Sequence, residues 1–296
     1  MPPEPARSEA GAASSRAAVL RLGDRGYDIS HRAVVVGILN RTRDSFYDGD
    51  AYFELDALLR HAERLVDDGA DVLEVGARAA GVGVYDVPEQ EEIDLAASTL
   101  SELAARFDVA LGVDTRRSSV ARAAFGVGAV IGNDMSGFTD PGYLPAAAAA
   151  GAAVVATHTR LPPGVPDPEP EYRDVVEDVV EAVAGLGRRA EEAGVAPDRV
   201  IVDPGLDLGK TWRQSLELLA AFDRFAALGY PLLLGASNKI FLGRALGLEV
   251  EQRTFATVAA CSYGVERGAR VLRVHDARGA RHAADLYAAL ATAGSE

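Results

Sequence analysis

Eight short apolar runs, separated by longer stretches that carry one apolar face, constrain this chain more than any other feature of it. They lie at 34–39, 72–75, 109–113, 130–131, 153–156, 200–202, 232–234 and 271–274. Runs of this length without polar alternation suit strands covered on both faces, as in a parallel sheet wrapped by helices. The intervening stretches set apolar side chains three and four apart, as in Leu58, Ala62, Leu65 and Val66 ahead of Gly69, or Val176, Val179, Val183 and Leu186 ahead of Gly194. They read as helices closed by glycine. Eight such units predict an α/β fold closed as a (β/α)8 barrel. A doubly wound open sheet has fewer strands and a Gly-rich dinucleotide fingerprint after the first, and that fingerprint is absent here.

Around this frame, residues 17–29 alternate about Gly23 and Asp24 and predict a short N-terminal hairpin at the bottom of the barrel. Residues 1–16, rich in Pro, Ala, Glu and Ser, lack the cationic start and apolar run of a signal peptide and read as a disordered tail. Residues 17–296 then form one domain. Against 30 basic residues stand 44 acidic ones, a net charge of −14 that disfavours nucleic acid and anionic membrane as partners. A small anion in one cationic cleft remains compatible with that balance. The one cysteine, Cys261, lies in an apolar helical stretch, which suits packing in a reducing cytoplasm rather than a disulfide. No charge-free apolar stretch is long enough to span a bilayer.

Polar side chains follow each run: Asn40, Arg78 a little late, Asp114, Asn133, His158, Asp203, Ser237 with Lys239, and Arg273 with His275. In a parallel barrel the carboxyl ends of the strands converge on one mouth. Singly, each has an ordinary use in a cap or turn. Together they sort by chemistry, with carboxylates and amides on the third, fourth and sixth runs and cations on the last two. Asp114, Asn133 and Asp203 suit a ring that presents adjacent amino, NH and carbonyl groups, and Lys239 complements its carbonyl oxygen or ring nitrogen. Arg273 and His275, two apart on a strand, point to the same side and suit a phosphate. Asn40 suits Mg²⁺ on a diphosphate, because that ion takes few protein oxygens.

These residues carry a family resemblance. Gly37-Ile-Leu-Asn40-Arg-Thr42-Arg-Asp44-Ser45-Phe46-Tyr-Asp48-Gly49, Val113-Asp114-Thr115, Asn133-Asp134, Asp203-Pro204-Gly205 with Gly209-Lys210, Ser237-Asn-Lys239 and Arg273-Val-His275-Asp276 run in the order of the dihydropteroate synthase family. The resemblance implies a pterin-binding TIM barrel of folate biosynthesis, a cytoplasmic homodimer that joins 6-hydroxymethyl-7,8-dihydropterin diphosphate to p-aminobenzoate and releases pyrophosphate. By the same resemblance Asp114, Asn133, Asp203 and Lys239 hold the pterin, Asn40 the Mg²⁺, and Asn40, Arg273 and His275 the diphosphate. Asp44, Asp48 and Lys239 are the catalytic candidates, the two acids on the first loop stabilising positive charge on the pterin methylene.

The chain departs from the family pattern around the acceptor. Where the family runs Asp-Val-Gly-Gly-Glu-Ser-Thr-Arg-Pro-Gly, this chain has Glu74-Val75-Gly76-Ala77-Arg78-Ala79-Ala80-Gly81-Val82-Gly83. The Arg between Ser and Lys is Asn238, the phenylalanines of Gly-Phe-Gly-Phe-Gly-Lys are Leu206 and Leu208, and the first-loop Pro is Arg43. An acceptor subsite of Arg43, Arg78, Leu206, Ser237 and Asn238 is therefore expected to have an aliphatic wall, with Asp207 adding a carboxylate. It is to take p-aminobenzoate or a different amine. The alternatives are a pterin-binding homologue without synthase turnover and, on weaker grounds, a methyltransferase domain serving a corrinoid protein. His31, His61 and His282 form no metal triad; His158 suits either the pocket or packing, Trp212 anchors the sixth helix, and residues 161–170 form a loop at the mouth.

Overall fold

The computed structural model describes residues 18–42, 54–78, 87–162 and 165–293. The hairpin forms first: β1 (Val19–Leu22) and β2 (Arg25–Asp28) pair antiparallel around Gly23, whose φ of 61° suits a residue without a β-carbon. Eight parallel strands then close a barrel: β3 (Val34–Asn40), β4 (Val72–Gly76), β5 (Ala110–Asp114), β6 (Ile131–Asp134), β7 (Ala153–Thr157), β8 (Val200–Asp203), β9 (Leu232–Leu234) and β10 (Ala269–Val274). Closure is made by β10 against β3, so no barrel strand is left as an edge.

Helices α1 (Leu55–Asp67), α2 (Glu89–Arg106), α3 (Ser118–Gly126), α4 (Tyr143–Ala150) and α5 (Val175–Glu192) follow successive strands. After β8 come α6 (Trp212–Ala220) and α7 (Phe222–Ala226), then α8 (Ile240–Leu246) and α9 (Thr254–Glu266), and α10 (Ala277–Ala293) ends the described chain. Local chemistry explains where they start. Asp174 caps α5 by accepting from the N–H groups of Val176 and Glu177, and Thr211 with Gln214 forms a capping box on α6. Buried Val175, Val179, Val183 and Ala190 give α5 its apolar stripe. No helix among the described residues is long and apolar enough to cross a membrane.

Strand alternation sorts the side chains into two cores. Residues such as Val35, Leu73, Val113, Val154 and Leu272 point outward and pack under the helices. Val34, Val36, Val72, Ala110, Ile131, Ala153, Val155, Ile201, Leu233 and Val271 point inward, where Leu20, Leu22 and Ile29 of the hairpin region join them. The hairpin thus plugs the amino-terminal end of the barrel, as expected. Most strands run past the last apolar residue. Asn40, Asp114, Asn133 and Asp203 belong to the ladder itself, because backbone pairing is indifferent to the polarity of the side chain it carries.

Candidate active site at the carboxyl ends of the strands

Continuing the inward alternation by two residues on each strand gives the floor of the mouth. Val36 and Ile38 lead to Asn40, Val72 to Glu74 and Gly76, Ala110 to Asp114 by way of Gly112, Ile131 to Asn133, Val155 to Thr157, Ile201 to Asp203 and Val271 to Arg273. Register brings neighbours level: Asn40 pairs with Gly76, Gly76 with Asp114, Asp114 with Asn133, and Thr157 with Asp203.

The alternate, outward residues clamp this floor to its surroundings. Next to Asp114, the Thr115 hydroxyl donates to Glu92 at 2.6 Å, and Arg117 donates to the other oxygen of that buried carboxylate at 2.7 Å. Next to Asn133, Asp134 accepts from the backbone N–H groups of Ser136 and Phe138 at 2.7 and 3.1 Å and so fixes the turn after β6. Beyond Thr157, the Nδ1 of His158 lies 2.8 Å from the Nζ of Lys210, which also donates to the carbonyls of Leu208 and His158. That placement gives His158 a role in packing rather than in lining the mouth. Burial pushes its imidazole down to about 3, with Lys210 acting in the same direction. Lys210 itself is pushed down to about 7 by burial, with Asp203 partly opposing.

At the centre, Arg273 Nε donates to Glu74 at 2.5 Å and its Nη2 donates to Asp114 at 2.6 Å, while the Asn133 amide donates to the second Glu74 oxygen at 3.1 Å. The cations and acids that the sequence sorts toward opposite ends of a ligand therefore meet here. Burial works against the Arg273 charge, but Glu74 and Asp114 outweigh it and hold the guanidinium above its ordinary value. Burial pushes Asp114 up to about 7; Arg273 opposes this and Glu74 adds to it. Lys239 donates from Nζ to the Leu206 carbonyl at 2.6 Å and is lowered by burial, with Asp203 and then Asp207 opposing. Asp203 accepts from the Gly205 N–H at 2.8 Å, closing the turn after β8.

Of the other expected site residues, some lie outside the described residues and some sit otherwise than the sequence suggests. Arg43, Asp44 and Asp48 lie outside the described residues, and Arg78 is the last residue described before the second break. His275, grouped with the cations above, is pushed down to about 3 by burial and by Arg273, so it is a neutral ring. Its Nδ1 lies 2.9 Å from the Ser237 hydroxyl, which also accepts the His275 N–H at 3.1 Å. Leu206 is 1% exposed in the layer under the helices, so its carbonyl rather than an aliphatic wall serves the mouth. Asp207 offers no free carboxylate to an acceptor, because its oxygens are engaged by Phe241 N–H and Ser215. Asn238 takes a left-handed φ of 56°, with its N–H donated to Thr257 and its carbonyl held by Arg253.

Sequence reasoning passed over Glu74, a charge in the middle of an apolar strand run. A buried carboxylate there demands a partner, and that demand was the available signal. It also passed over Thr157, whose buried hydroxyl has no hydrogen-bond partner among the described residues. No compositional cue separated it from His158; only the inward parity of β7 does.

Comparison with known proteins agrees with this architecture. The family model described as a pterin binding enzyme matches residues 36–275. The chain is 40% identical over 254 residues to a probable bifunctional folylpolyglutamate synthase/dihydropteroate synthase of Haloferax volcanii, covering 86% of this chain and 30% of that longer protein. It is 34% identical over 259 residues to the dihydropteroate synthase of Clostridium beijerinckii, covering 87% of this chain and 94% of the relative. The crystal structure of a Yersinia pestis dihydropteroate synthase with a sulfonamide drug superposes with a TM-score of 0.88 at 34% identity, over 93% of this chain and 99% of that one. With eight strands that carry their polar ends to one mouth and a family match running from β3 to the residue after β10, the chain belongs to the pterin-binding enzymes of the dihydropteroate synthase family.

Proposed function

We infer that this enzyme is a transferase of the dihydropteroate synthase type, joining 6-hydroxymethyl-7,8-dihydropterin diphosphate to p-aminobenzoate. The observation that carries the reading is the inward-facing set Asp114, Asn133 and Asp203 around the Arg273–Glu74 pair, with Lys239 electrostatically coupled to Asp203. In this reading Asp203, Asn133 and Asp114 meet the amino, NH and carbonyl edge of the pterin, and Lys239 donates to its carbonyl oxygen or ring nitrogen. The bond from the pterin methylene carbon to the diphosphate oxygen breaks first, and the amine nitrogen then forms a bond to that carbon. The electron pair leaves with pyrophosphate and the amine gives up a proton. Asp44 or Asp48 stabilises positive charge on the methylene, Arg273 supplies charge and the neutral His275 a hydrogen bond toward the diphosphate, and Arg78, Ser237 and Asn238 face the acceptor.

Bound Mg²⁺ would neutralise charge on the departing pyrophosphate. The residues present fit it. Asn40 brings an amide oxygen to the mouth beside Gly76, where a methyl group would lie 3.5 Å from that oxygen and 3.8 Å from Asp114 Cβ. Space is thus kept beside a neutral oxygen donor, which suits an ion that keeps waters and phosphate oxygens as its other ligands.

The unit proposed to act is residues 17–296, in the cytoplasm, as a homodimer. Support for the dimer is the exposure of the large apolar side chains Ile240, Leu246, Phe255, Leu286 and Leu290 on α8, α9 and α10, with Phe255 87% exposed. Titration calorimetry with the pterin diphosphate, followed by a pyrophosphate-release assay with and without p-aminobenzoate, tests the function. The expected result is pterin binding and release that accelerates with the amine. Binding without acceleration by p-aminobenzoate or any other amine would leave a pterin-binding homologue.

A further inference from the structure

We propose that Asp207 is the positioning residue for Lys239, bonding the first turn of the helix that follows this lysine from the loop that also receives its ammonium; this rests on the reading of Lys239 as a pterin ligand. Lys239 occupies the cap position of α8, which starts at Ile240, and no side chain of its own caps that helix. A lysine has no acceptor to offer there, and the first-turn N–H groups of a helix need one. The cap arrives from a different strand. Asp207, in the loop after β8, accepts the N–H of Phe241 at 3.1 Å with one oxygen and the Ser215 hydroxyl at 3.1 Å with the other.

The same loop holds the far end of the lysine. The ammonium donates at 2.6 Å to the carbonyl of Leu206, the residue immediately before Asp207. Asp207 sits at φ 65°, left-handed backbone that side chains rarely adopt, and its own N–H donates to Ser215 at 3.0 Å. A strained residue whose N–H and both carboxylate oxygens are engaged marks a position fixed by its surroundings. Asp207 also places a negative charge near the ammonium, which opposes the effect of burial. Strand β8, helix α6 and the start of α8 are therefore joined through one carboxylate, and Lys239 lies between them.

The test uses the full-length enzyme and three single variants, Asp207→Gly, Asp207→Asn and Lys239→Gln, with the double variant of the first and third. Glycine adopts the left-handed backbone without strain, so Asp207→Gly removes the carboxylate while favouring the loop geometry. Melting temperature, KM for the pterin diphosphate, and the pH profile of kcat/KM are measured. Asp207→Gly should raise KM roughly tenfold and move the alkaline limb to lower pH, because a nearby negative charge that favours the ammonium is gone. Asp207→Asn should recover part of KM but keep the displaced limb. Once Lys239 is Gln, the further change at position 207 should add less than about twofold, as for residues acting as one unit. An unchanged KM and alkaline limb in Asp207→Gly, or losses that simply multiply in the double variant, would overturn the proposal. If Lys239→Gln alone binds the pterin diphosphate as tightly as the parent, the fault lies in the pterin-ligand reading of Lys239 rather than in the role of Asp207.

Discussion

Arg273 stands between two carboxylates that would otherwise repel each other, and this sets the chemistry of the mouth before a ligand arrives. With Glu74 and Asp114 both ionised, the trio carries net negative charge where water is scarce, so Asp114 keeps its proton up to about pH 7. Because its folded value lies above its ordinary one, the native state binds more protons than the unfolded chain between the two, and stability falls as pH rises through about 7. Asp114→Asn should therefore raise Tm at pH 8 by roughly 2–4 °C, on the order of 1 kcal/mol, with a smaller gain at acid pH, while weakening pterin binding. Scanning calorimetry at both pH values checks this, and an equal gain at each would count against burial as the cause. Arg273→Ala should act oppositely, costing about 3 kcal/mol at pH 8 by leaving buried Glu74 and half-buried Asp114 face to face, with part of the loss regained in acid. Urea unfolding at two pH values measures it. Asp203→Asn and Lys239→Ala should each weaken pterin binding by about 1–3 kcal/mol, or roughly 5–150-fold. Unchanged affinity in both would sink the pocket.

A strand end in this barrel does two jobs with adjacent residues. Asp114 faces in while Thr115 is tied to α2 through Glu92, and Asn133 faces in while Asp134 shapes the next turn. The turn after β8 is the tightest of these. Gly205 takes φ 68°, and a β-carbon there would lie 2.0 Å from the His158 carbonyl oxygen. Gly205→Ala should force the 203–210 loop to move, with a loss of about 3 kcal/mol or more and a raised KM for pterin, read by thermal unfolding and steady-state kinetics. The presence of these strands was legible in their apolar runs, but their last residues were not. An apolar run marks where a strand is covered, whereas hydrogen bonding marks where it ends, and at β6 the two differ by Asn133 and Asp134. For the same reason Leu206 and Asp207 were misplaced, since a motif fixes their order and not which way a turn points them.

The two ends of the barrel divide stability from function. At the amino-terminal end the buried Leu20 and Leu22 of the hairpin complete the inner core. Leu20→Ala should cost about 2–5 kcal/mol and leave kcat/KM for the pterin diphosphate unchanged. Denaturant unfolding beside kinetics checks both halves, and a kinetic defect at full folding would contradict the division. At the other end the inward positions turn polar, and there a ligand can be met because no plug covers them among the described residues.

The amino-acid sequence by itself determined the eight units, the closing hairpin, the family and the positions of the polar strand ends, because apolar periodicity and motif order are local properties of the chain. Only the tertiary structure decided that Arg273 meets Glu74 and Asp114, that His275 is neutral, that Lys210 leans on His158 and that Asp207 caps a helix from another strand. Each of these joins residues far apart in the chain, and each depends on burial and on the inward or outward sense of a side chain. Those quantities exist only once the barrel has closed.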